Sequence, residues 1–219
     1  MPTTPLVLYA RRSSHMSRVV LLFATELGLA YTLQPVLNLL SQRSEDFGGN
    51  PALKVPTLQH QGESYFGALN CCRQLWKLAQ PQPAVLWPEQ MTTPLLQNAF
   101  ETIQNGMSSE VALILHEPKE RALHSSNDGL AKTRAGLVGG LHWLEQRLPA
   151  ILTSLSSTPT KLDFVTIQLF CYLEHLEWRG VQSLADFPGL QSFRGTYGQR
   201  AAARATTYQF DSPCTATSR

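Results

Sequence analysis

A short polar segment near the amino terminus carries residue types that can bind an anion. It reads Arg11-Arg-Ser-Ser-His-Met-Ser-Arg18 and lies between an apolar run and an amphipathic one. If a helix begins here, its first backbone N–H groups are unpaired and its dipole is positive, which stabilises a bound thiolate by about 0.3–2 kcal/mol. A serine hydroxyl at the same point can donate a hydrogen bond to that anion. The simpler alternative, favoured for this segment alone, is that Ser13, Ser14 or Ser17 only caps the helix.

A second candidate is the loop Asn50-Pro-Ala-Leu-Lys-Val-Pro-Thr-Leu58. A proline directly before a strand lacks an N–H donor, and an X-Pro peptide bond can be cis at a demanding turn. Such a turn leaves the backbone of Val55 as a free edge, which can pair with an extended peptide ligand. For this loop alone, an ordinary proline at the entry of a strand is the favoured alternative.

The elements that position these two segments follow the order strand, helix, strand, loop, strand, strand, helix. The predicted strands are Leu6 to Tyr9, Tyr31 to Pro35, Val55 to Leu58 and Ser64 to Phe66. The first helix carries apolar residues at helical spacing from Val19 to Leu27 and ends at Gly28. Ser41 to Pro51 is expected to be a loop with at most one helical turn. A second helix is predicted from Ala68 to Ala79, so residues 1–79 form an α/β domain.

A change of composition divides the chain after this domain. Residues 80–90 contain Pro81, Pro83 and Pro88, too many prolines for a helix interior or a central strand, and are predicted to form a linker. Beyond the linker, apolar residues recur at helical spacing and no strand pattern is convincing. The predicted helices are Leu95 to Leu115, Gly129 to Leu148 and Leu162 to Arg179. We therefore expect an all-α domain over residues 91–219.

Composition and charge exclude several functional classes. The 219 residues are 43% hydrophobic and 16% charged, which is typical of a folded chain, and a net charge of +2 is too small for general nucleic-acid binding. No apolar stretch is long enough to span a membrane or to serve as a signal peptide. The four cysteines have no spacing typical of zinc or of a disulfide scaffold. We expect a cytoplasmic protein with no metal and with neither nucleic acid nor membrane as a partner.

Together, the order of elements and the two motifs resemble the glutathione S-transferase family over nearly the whole chain. In that family the N-terminal domain is thioredoxin-like, and a Ser, Tyr or Cys near the end of the first strand meets the glutathione sulfur. Ser14-His-Met-Ser-Arg18 is similar to the serine-type S-x-x-[SC]-R arrangement, which favours Ser14 over Ser13. Val55-Pro56 resembles the family's cis-proline loop, and Thr160-Lys-Leu-Asp163 resembles the capping box that opens the central core helix.

The resemblance implies a thioredoxin-like domain followed by an all-α domain, and an enzyme that attaches glutathione to small hydrophobic electrophiles. Glutathione is the implied co-substrate, no metal is needed, and the implied partners are the electrophile and a second copy in a homodimer. Ser14 is the implied catalytic residue. The implied glutathione-binding residues are Arg11, Ser14, Lys54, Val55, Pro56, Gly67 and Ala68, and the implied acceptor pocket includes Met107, Glu110 and Val111.

One departure from the family pattern concerns the helix after the fourth strand. The family has an acidic residue or Gln followed by Ser at its start, where they hold the γ-glutamyl end of glutathione, and this chain has Gly67 and Ala68. Each lost charge-assisted hydrogen bond costs about 1.5–3 kcal/mol. A non-catalytic binding or regulatory module with weakened or lost glutathione binding is therefore the alternative. Cys71 and Cys72 lie inside this predicted helix and are expected to be buried.

Overall fold

The chain divides into two compact units. The computed structural model describes residues 5–123 and 128–212, and of residues 117–123 it describes the backbone alone. One unit comprises Met1–Gln82 with Ala201–Arg219, and the other comprises Pro83–Arg200. The boundary near residue 82 lies inside the expected linker, residues 80–90. The end of the chain groups with the first unit, whereas the sequence analysis placed all of residues 91–219 in the helical domain.

A four-stranded mixed sheet forms the centre of the first unit. Its strands are β1 (Val7–Ala10), β2 (Thr32–Pro35), β3 (Thr57–His60) and β4 (Glu63–Phe66), in the order β2-β1-β3-β4. Strand β1 is parallel to β2, and β3 is antiparallel to both β1 and β4. The hairpin turn between β3 and β4 has positive φ at Gln61 and Gly62, the geometry that matches the twist of the flanking strands. All four strands were predicted to within two residues at each end.

Two helices complete this part of the first unit, α1 (His15–Glu26) and α2 (Ala68–Leu78), and they pack against each other. The stretch from Val19 to Ala24 is buried on every side, which explains its continuous apolar sequence. Gly28 follows α1 with φ +66, and the N–H of Leu29 donates to the carbonyl of Ala24 at 3.0 Å, so the predicted left-handed end of the helix is confirmed. The expected single helical turn is present as a 3-10 turn at Ser44–Phe47. Sheet and helices together have the thioredoxin-like arrangement.

The second unit is mainly helical. Its helices are α3 (Pro94–Leu123), α4 (Asp128–Ser156), α5 (Phe164–Arg179) and α6 (Pro188–Gly198). Helix α5 is buried from Phe164 to Leu173 except at Thr166 and packs against both α3 and α6, so it forms the core of this unit. Among the residues that the structure describes, no helix is long and apolar enough to cross a membrane.

Two details of the second unit differ from the sequence-based expectation. The proline-rich segment contains a strand, β5 (Val85–Leu86), which pairs in parallel with β6 (Leu162–Asp163), although no strand was predicted here. Because Leu162 is extended, α5 begins later than expected and Asp163 itself is its N-cap, with its Oδ1 accepting from the N–H of Thr166 at 2.6 Å. The capping box expected from Thr160 to Asp163 is therefore wrong, and the N-cap lies three residues later, at Asp163.

The end of the chain returns to the first unit through a short helix, α7 (Ala201–Ala205), which packs against α1. The buried Arg18 explains this contact, because its Nη2 donates to the carbonyl of Ala203 at 3.2 Å. Its guanidinium also lies over the ring of Tyr208, 4.3 Å from the ring centroid. Burial of the Arg18 charge therefore depends on residues that come about 190 positions later in the sequence.

Candidate active site

The turn between β1 and α1 places Ser14 at the start of a helix. The N–H of Ser14 donates to the carbonyl of Arg11 at 3.1 Å, so Arg12 and Ser13 are the two central residues of a hydrogen-bonded turn. Ser14 has extended backbone angles, φ −112 and ψ 127, and its Oγ accepts from the N–H of Ser17 at 3.3 Å. Ser14 is therefore the N-cap of α1, the simpler role that the sequence analysis considered.

The capping role leaves the chemistry of the Ser14 hydroxyl available. A hydroxyl has two acceptor lone pairs and one donor proton, and capping uses a lone pair. Ser14 is half-buried, so a ligand can reach this proton. The first turn of α1 contains no acidic residue, so the positive end of its dipole is not neutralised from within the helix. The same point in space thus offers a hydrogen-bond donor and a favourable field for an anion.

The neighbouring Ser17 has a structural role. Its side chain is fully buried, and its Oγ accepts from the N–H of Arg11 at 3.2 Å. This bond ties the start of the turn to the first turn of the helix. Of the three serines in the motif, Ser17 is thereby removed from contact with a ligand, while Ser13 and Ser14 are both half-buried.

The loop before β3 is shaped by Asn50. Its Nδ2 donates to the carbonyl of Lys54 at 2.8 Å, and its Oδ1 accepts from the N–H of Ala52 at 2.9 Å. The Val55–Pro56 peptide bond is cis, as the resemblance implied. Lys54 is exposed and Val55 is half-buried, and β3 begins only at Thr57. Asn before Pro is a local signal for a loop held by its own side chain, so this role of Asn50 was readable from the sequence.

The start of α2 adjoins this loop. The N–H of Gly67 donates to the carbonyl of Pro56 at 3.0 Å, and Gly67 is the N-cap of α2 with φ +82 and no capping side chain. A Cβ built on Gly67 meets no other atom within 4 Å, so the space beside it is open. Ala68, the first residue of the helix, supplies a backbone N–H and no hydroxyl. This helix start can hold a carboxylate only through its backbone.

The sheet register brings these three segments to one edge. Tyr9 pairs with Thr57, and Thr57 also pairs with Phe66, so the end of β1, the start of β3 and the end of β4 lie side by side. The turn to Ser14, the Val55–Pro56 loop and the start of α2 each continue directly from one of these strand ends. The sheet therefore gathers all the predicted glutathione-binding residues at the same edge of the first unit.

Comparison with known proteins identifies this unit. Residues 8–83 match the family model of the glutathione S-transferase N-terminal domain. These residues therefore form a glutathione S-transferase N-terminal domain. No curated protein sequence matches the chain.

Solved glutathione S-transferases share the fold of the whole chain at low sequence identity. The enzyme of Methylobacillus flagellatus with glutathione bound has a TM-score of 0.76 at 17% identity, over 93% of this chain and 100% of that chain. The enzyme of Methylobacterium radiotolerans in complex with glutathione sulfonate has a TM-score of 0.74 at 17% identity, over 96% and 98%. A Pseudomonas fluorescens family member with S-(propanoic acid)-glutathione has a TM-score of 0.71 at 21% identity, over 93% and 100%.

The cysteines of the glutathione S-transferase N-terminal domain lie in its core. Cys71 and Cys72 are fully buried, as predicted. Burial raises the pKa of the Cys71 thiol to about 12, and its Sγ lies 3.2 Å from the carbonyl of Tyr65. Because the thiolate is the reactive form, Cys71 is inert at neutral pH.

The residues expected to line the acceptor pocket do not share a surface. Met107 and Glu110 are fully buried in α3, whereas Val111 is 42% exposed. Glu110 Oε1 lies 2.6 Å from Nδ1 of the buried His175, a pair that the sequence analysis did not foresee because 65 residues separate its members. Burial raises the pKa of Glu110, and the hydrogen bond and charge of His175 act in the opposite direction. Met107 and Glu110 therefore offer no exposed surface to a ligand in this structure.

Proposed function

We propose that the chain is a glutathione transferase that activates the thiol of glutathione for attack on small hydrophobic electrophiles. The observation that carries this proposal is the position of Ser14, whose hydroxyl caps α1 through a lone pair and keeps its proton for a ligand. The glutathione S-transferase N-terminal domain over residues 8–83 supports the choice of ligand. Solved proteins of the same fold contain bound glutathione, which supports it further.

The proposed chemistry lowers the pKa of the glutathione thiol. A free thiol has a pKa near 8.5, so only a small fraction is thiolate at neutral pH. One charge-assisted hydrogen bond contributes about 1.5–3 kcal/mol, which corresponds to a pKa lower by about 1–2 units. Ser14 donates this bond and forms no covalent intermediate. The thiol proton leaves to solvent, the thiolate attacks the electrophilic carbon, and the leaving group departs with the electron pair of its broken bond.

The rest of the tripeptide is held by the other groups at the same sheet edge. In this proposal the backbone of Val55 pairs with the cysteinyl unit, next to Pro56. The side chains of Arg11 and Lys54 attract the carboxylates. The backbone at Gly67 and Ala68 holds the γ-glutamyl carboxylate at the positive end of α2.

The proposal also covers the acceptor, the assembly and the location. Val111 has the exposed apolar surface that contact with a hydrophobic electrophile requires, and of the expected acceptor residues it is the one we retain for this role.

We also propose a cytoplasmic homodimer. The four cysteines have no spacing typical of a disulfide scaffold, which supports a reducing compartment. Sedimentation of the protein as a monomer at micromolar concentrations would contradict the dimer.

A second candidate function is a binding or regulatory module that has the fold and does not conjugate glutathione. The start of α2 favours this candidate, because Gly67 offers no capping side chain and Ala68 offers no hydroxyl. Both groups that the family uses at this end of the ligand are therefore missing. Glutathione held only by backbone N–H groups there is bound more weakly.

Two measurements on the unchanged protein separate these candidates. Calorimetric titration with glutathione and with S-methylglutathione measures binding, and absorbance with a chloronitroarene acceptor measures conjugation. A transferase binds both peptides and conjugates only glutathione, because the methylated sulfur cannot form a thiolate. Absence of binding heat at millimolar glutathione, together with absence of conjugation above the uncatalysed rate, supports the module and overturns the transferase.

A further inference from the structure

The end of the chain contacts the turn that carries Ser14. Oδ2 of Asp211 accepts from the backbone N–H of Arg12 at 2.9 Å, and its Oδ1 accepts from Nη1 of the same residue at 3.2 Å. The Asp211 side chain is only 1% exposed, whereas that of Arg12 is 42% exposed. Both residues belong to the first unit, although 199 positions separate them in sequence. A buried carboxylate with two bonds to one residue of the turn is a specific contact.

The place of Arg12 in the turn explains what this contact does. Arg12 is the second residue of the turn from Arg11 to Ser14, and the N–H at that position takes no part in the hydrogen bond that closes a turn. Asp211 supplies its partner. The turn is thereby held at three points: by Ser17 at its first N–H, by Asp211 at its second, and by its own closing bond at Ser14.

The segment that brings Asp211 to this place is itself anchored on α1. The buried Arg18 donates to the carbonyl of Ala203 at 3.2 Å and lies over the ring of Tyr208, three residues before Asp211. Arg12 and Arg18 therefore both bind the end of the chain, one on each side of Ser14. The position of the Ser14 hydroxyl depends on this segment as well as on its own helix.

We propose that Asp211 is a positioning residue for Ser14, because its carboxylate fixes the Arg12 peptide and so the turn that ends at the Ser14 hydroxyl. This inference rests on the proposed function, in which the Ser14 hydroxyl donates to the glutathione thiolate. Asp211 itself touches neither the thiol nor the electrophile. It acts through the geometry of the turn, and misplacement of a catalytic group by about 1 Å can cost a hundredfold in rate.

The test compares Asp211→Ala and Asp211→Asn with Asp186→Ala, which removes an exposed carboxylate from the other unit. For Asp211→Ala we expect kcat/KM for conjugation at neutral pH to fall about tenfold, and the pH profile to move up by about one unit. Asn retains one acceptor oxygen for the Arg12 N–H and gives an intermediate result. Asp186→Ala has the activity and profile of the unchanged protein. Thermal unfolding of each variant shows whether it is folded.

A double-mutant comparison with Ser14→Ala separates positioning from a general loss of structure. If Asp211 acts through Ser14, Asp211→Ala causes little further loss of kcat/KM once Ser14 is Ala. An equal loss of kcat/KM in both backgrounds overturns the positioning role. So does an Asp211→Ala protein with the same activity and pH profile as the Asp186→Ala control.

Glutathione binding by the unchanged protein is measured first, by calorimetry. If the unchanged protein does not bind glutathione, the proposed function is overturned and this inference with it. If it binds glutathione and Asp211→Ala has no effect on conjugation, this inference alone is overturned.

Discussion

Replacement of Ser14 separates its two roles, since capping needs an acceptor and thiolate stabilisation needs a donor. Ser14→Ala removes the bond from the Ser17 N–H, 3.3 Å long in the structure, and costs about 0.5–2 kcal/mol of stability. In a protein of this size each kcal/mol lowers Tm by about 2–4 °C. The same change removes the proposed donor to the thiolate, so the pKa of bound glutathione rises by about 1–2 units.

Ser14→Asp keeps one role and abolishes the other. An aspartate caps a helix about as well as serine and interacts favourably with the dipole, so Tm stays close to that of the unchanged protein. An ionised carboxylate has no proton to donate and repels a thiolate. We therefore expect conjugation by Ser14→Asp to fall at least as far as by Ser14→Ala, roughly tenfold to a hundredfold at pH 7. Ser13→Ala is the matched control on the neighbouring hydroxyl.

The assay follows kcat/KM against pH with a chloronitroarene acceptor, alongside thermal unfolding by circular dichroism. The midpoint of the pH profile reports the pKa of the thiol and is expected to move upward in both Ser14 variants. An unchanged pH profile in Ser14→Asp refutes the assignment of Ser14 as the donor to the thiolate. The same conclusion follows if Ser13→Ala loses all activity while Ser14→Ala keeps full activity. If the activity of the Ser14 and Ser13 variants falls only in proportion to their loss of Tm, the hydroxyl proton has no catalytic role.

Three further predictions concern other parts of the molecule. Ala68→Ser returns a hydroxyl to the start of α2 and is expected to tighten glutathione binding about tenfold by calorimetry, whereas Ala68→Cys, with only a weak donor, leaves it unchanged. Asp163→Ala removes the acceptor for the Thr166 N–H and lowers the unfolding free energy by about 1–3 kcal/mol in a urea titration, while Asp163→Asn keeps an acceptor and loses less. Cys71, with a pKa of about 12, is about one part in ten thousand thiolate at pH 8. In a Cys214→Ser protein the remaining cysteines are the buried Cys71, Cys72 and Cys171. Thiol labelling is therefore expected only after unfolding, and fast labelling of the native protein contradicts the burial.

Most of the first unit was predictable because its signals are local. Strand β1 is a short apolar run after Pro5, and α1 ends where Gly28 takes a positive φ that other residues resist. Gly62 likewise takes a positive φ, in the turn between β3 and β4. The second unit was predicted less completely, since strand β5 has two residues and exists through its pairing with β6, about 77 positions away. Neither the composition nor the spacing around Val85 contains that information.

The candidate site shows the same division. Ser14 and the Val55–Pro56 loop were found from motifs whose residues are adjacent in sequence, and the structure brings them to one sheet edge. The acceptor residues were implied by the family resemblance, which places the acceptor pocket on the first helix of the all-α domain. The structure instead buries Met107 and Glu110, because which side of α3 faces the core is decided by α5 and the other elements that pack around it.

By itself, the sequence determined the local features of this protein: where the four strands of the first unit lie, which turn carries the serines, and that its charge is nearly balanced. Residue type and short-range spacing are sufficient for these, because backbone preferences and hydrophobic periodicity act over a few residues. Only the tertiary structure decided that Arg18 is buried under Tyr208 and that Asp211 holds the peptide of Arg12. Such contacts join residues nearly 200 positions apart, and they form only when burial of the surrounding apolar surface brings the end of the chain back to its beginning.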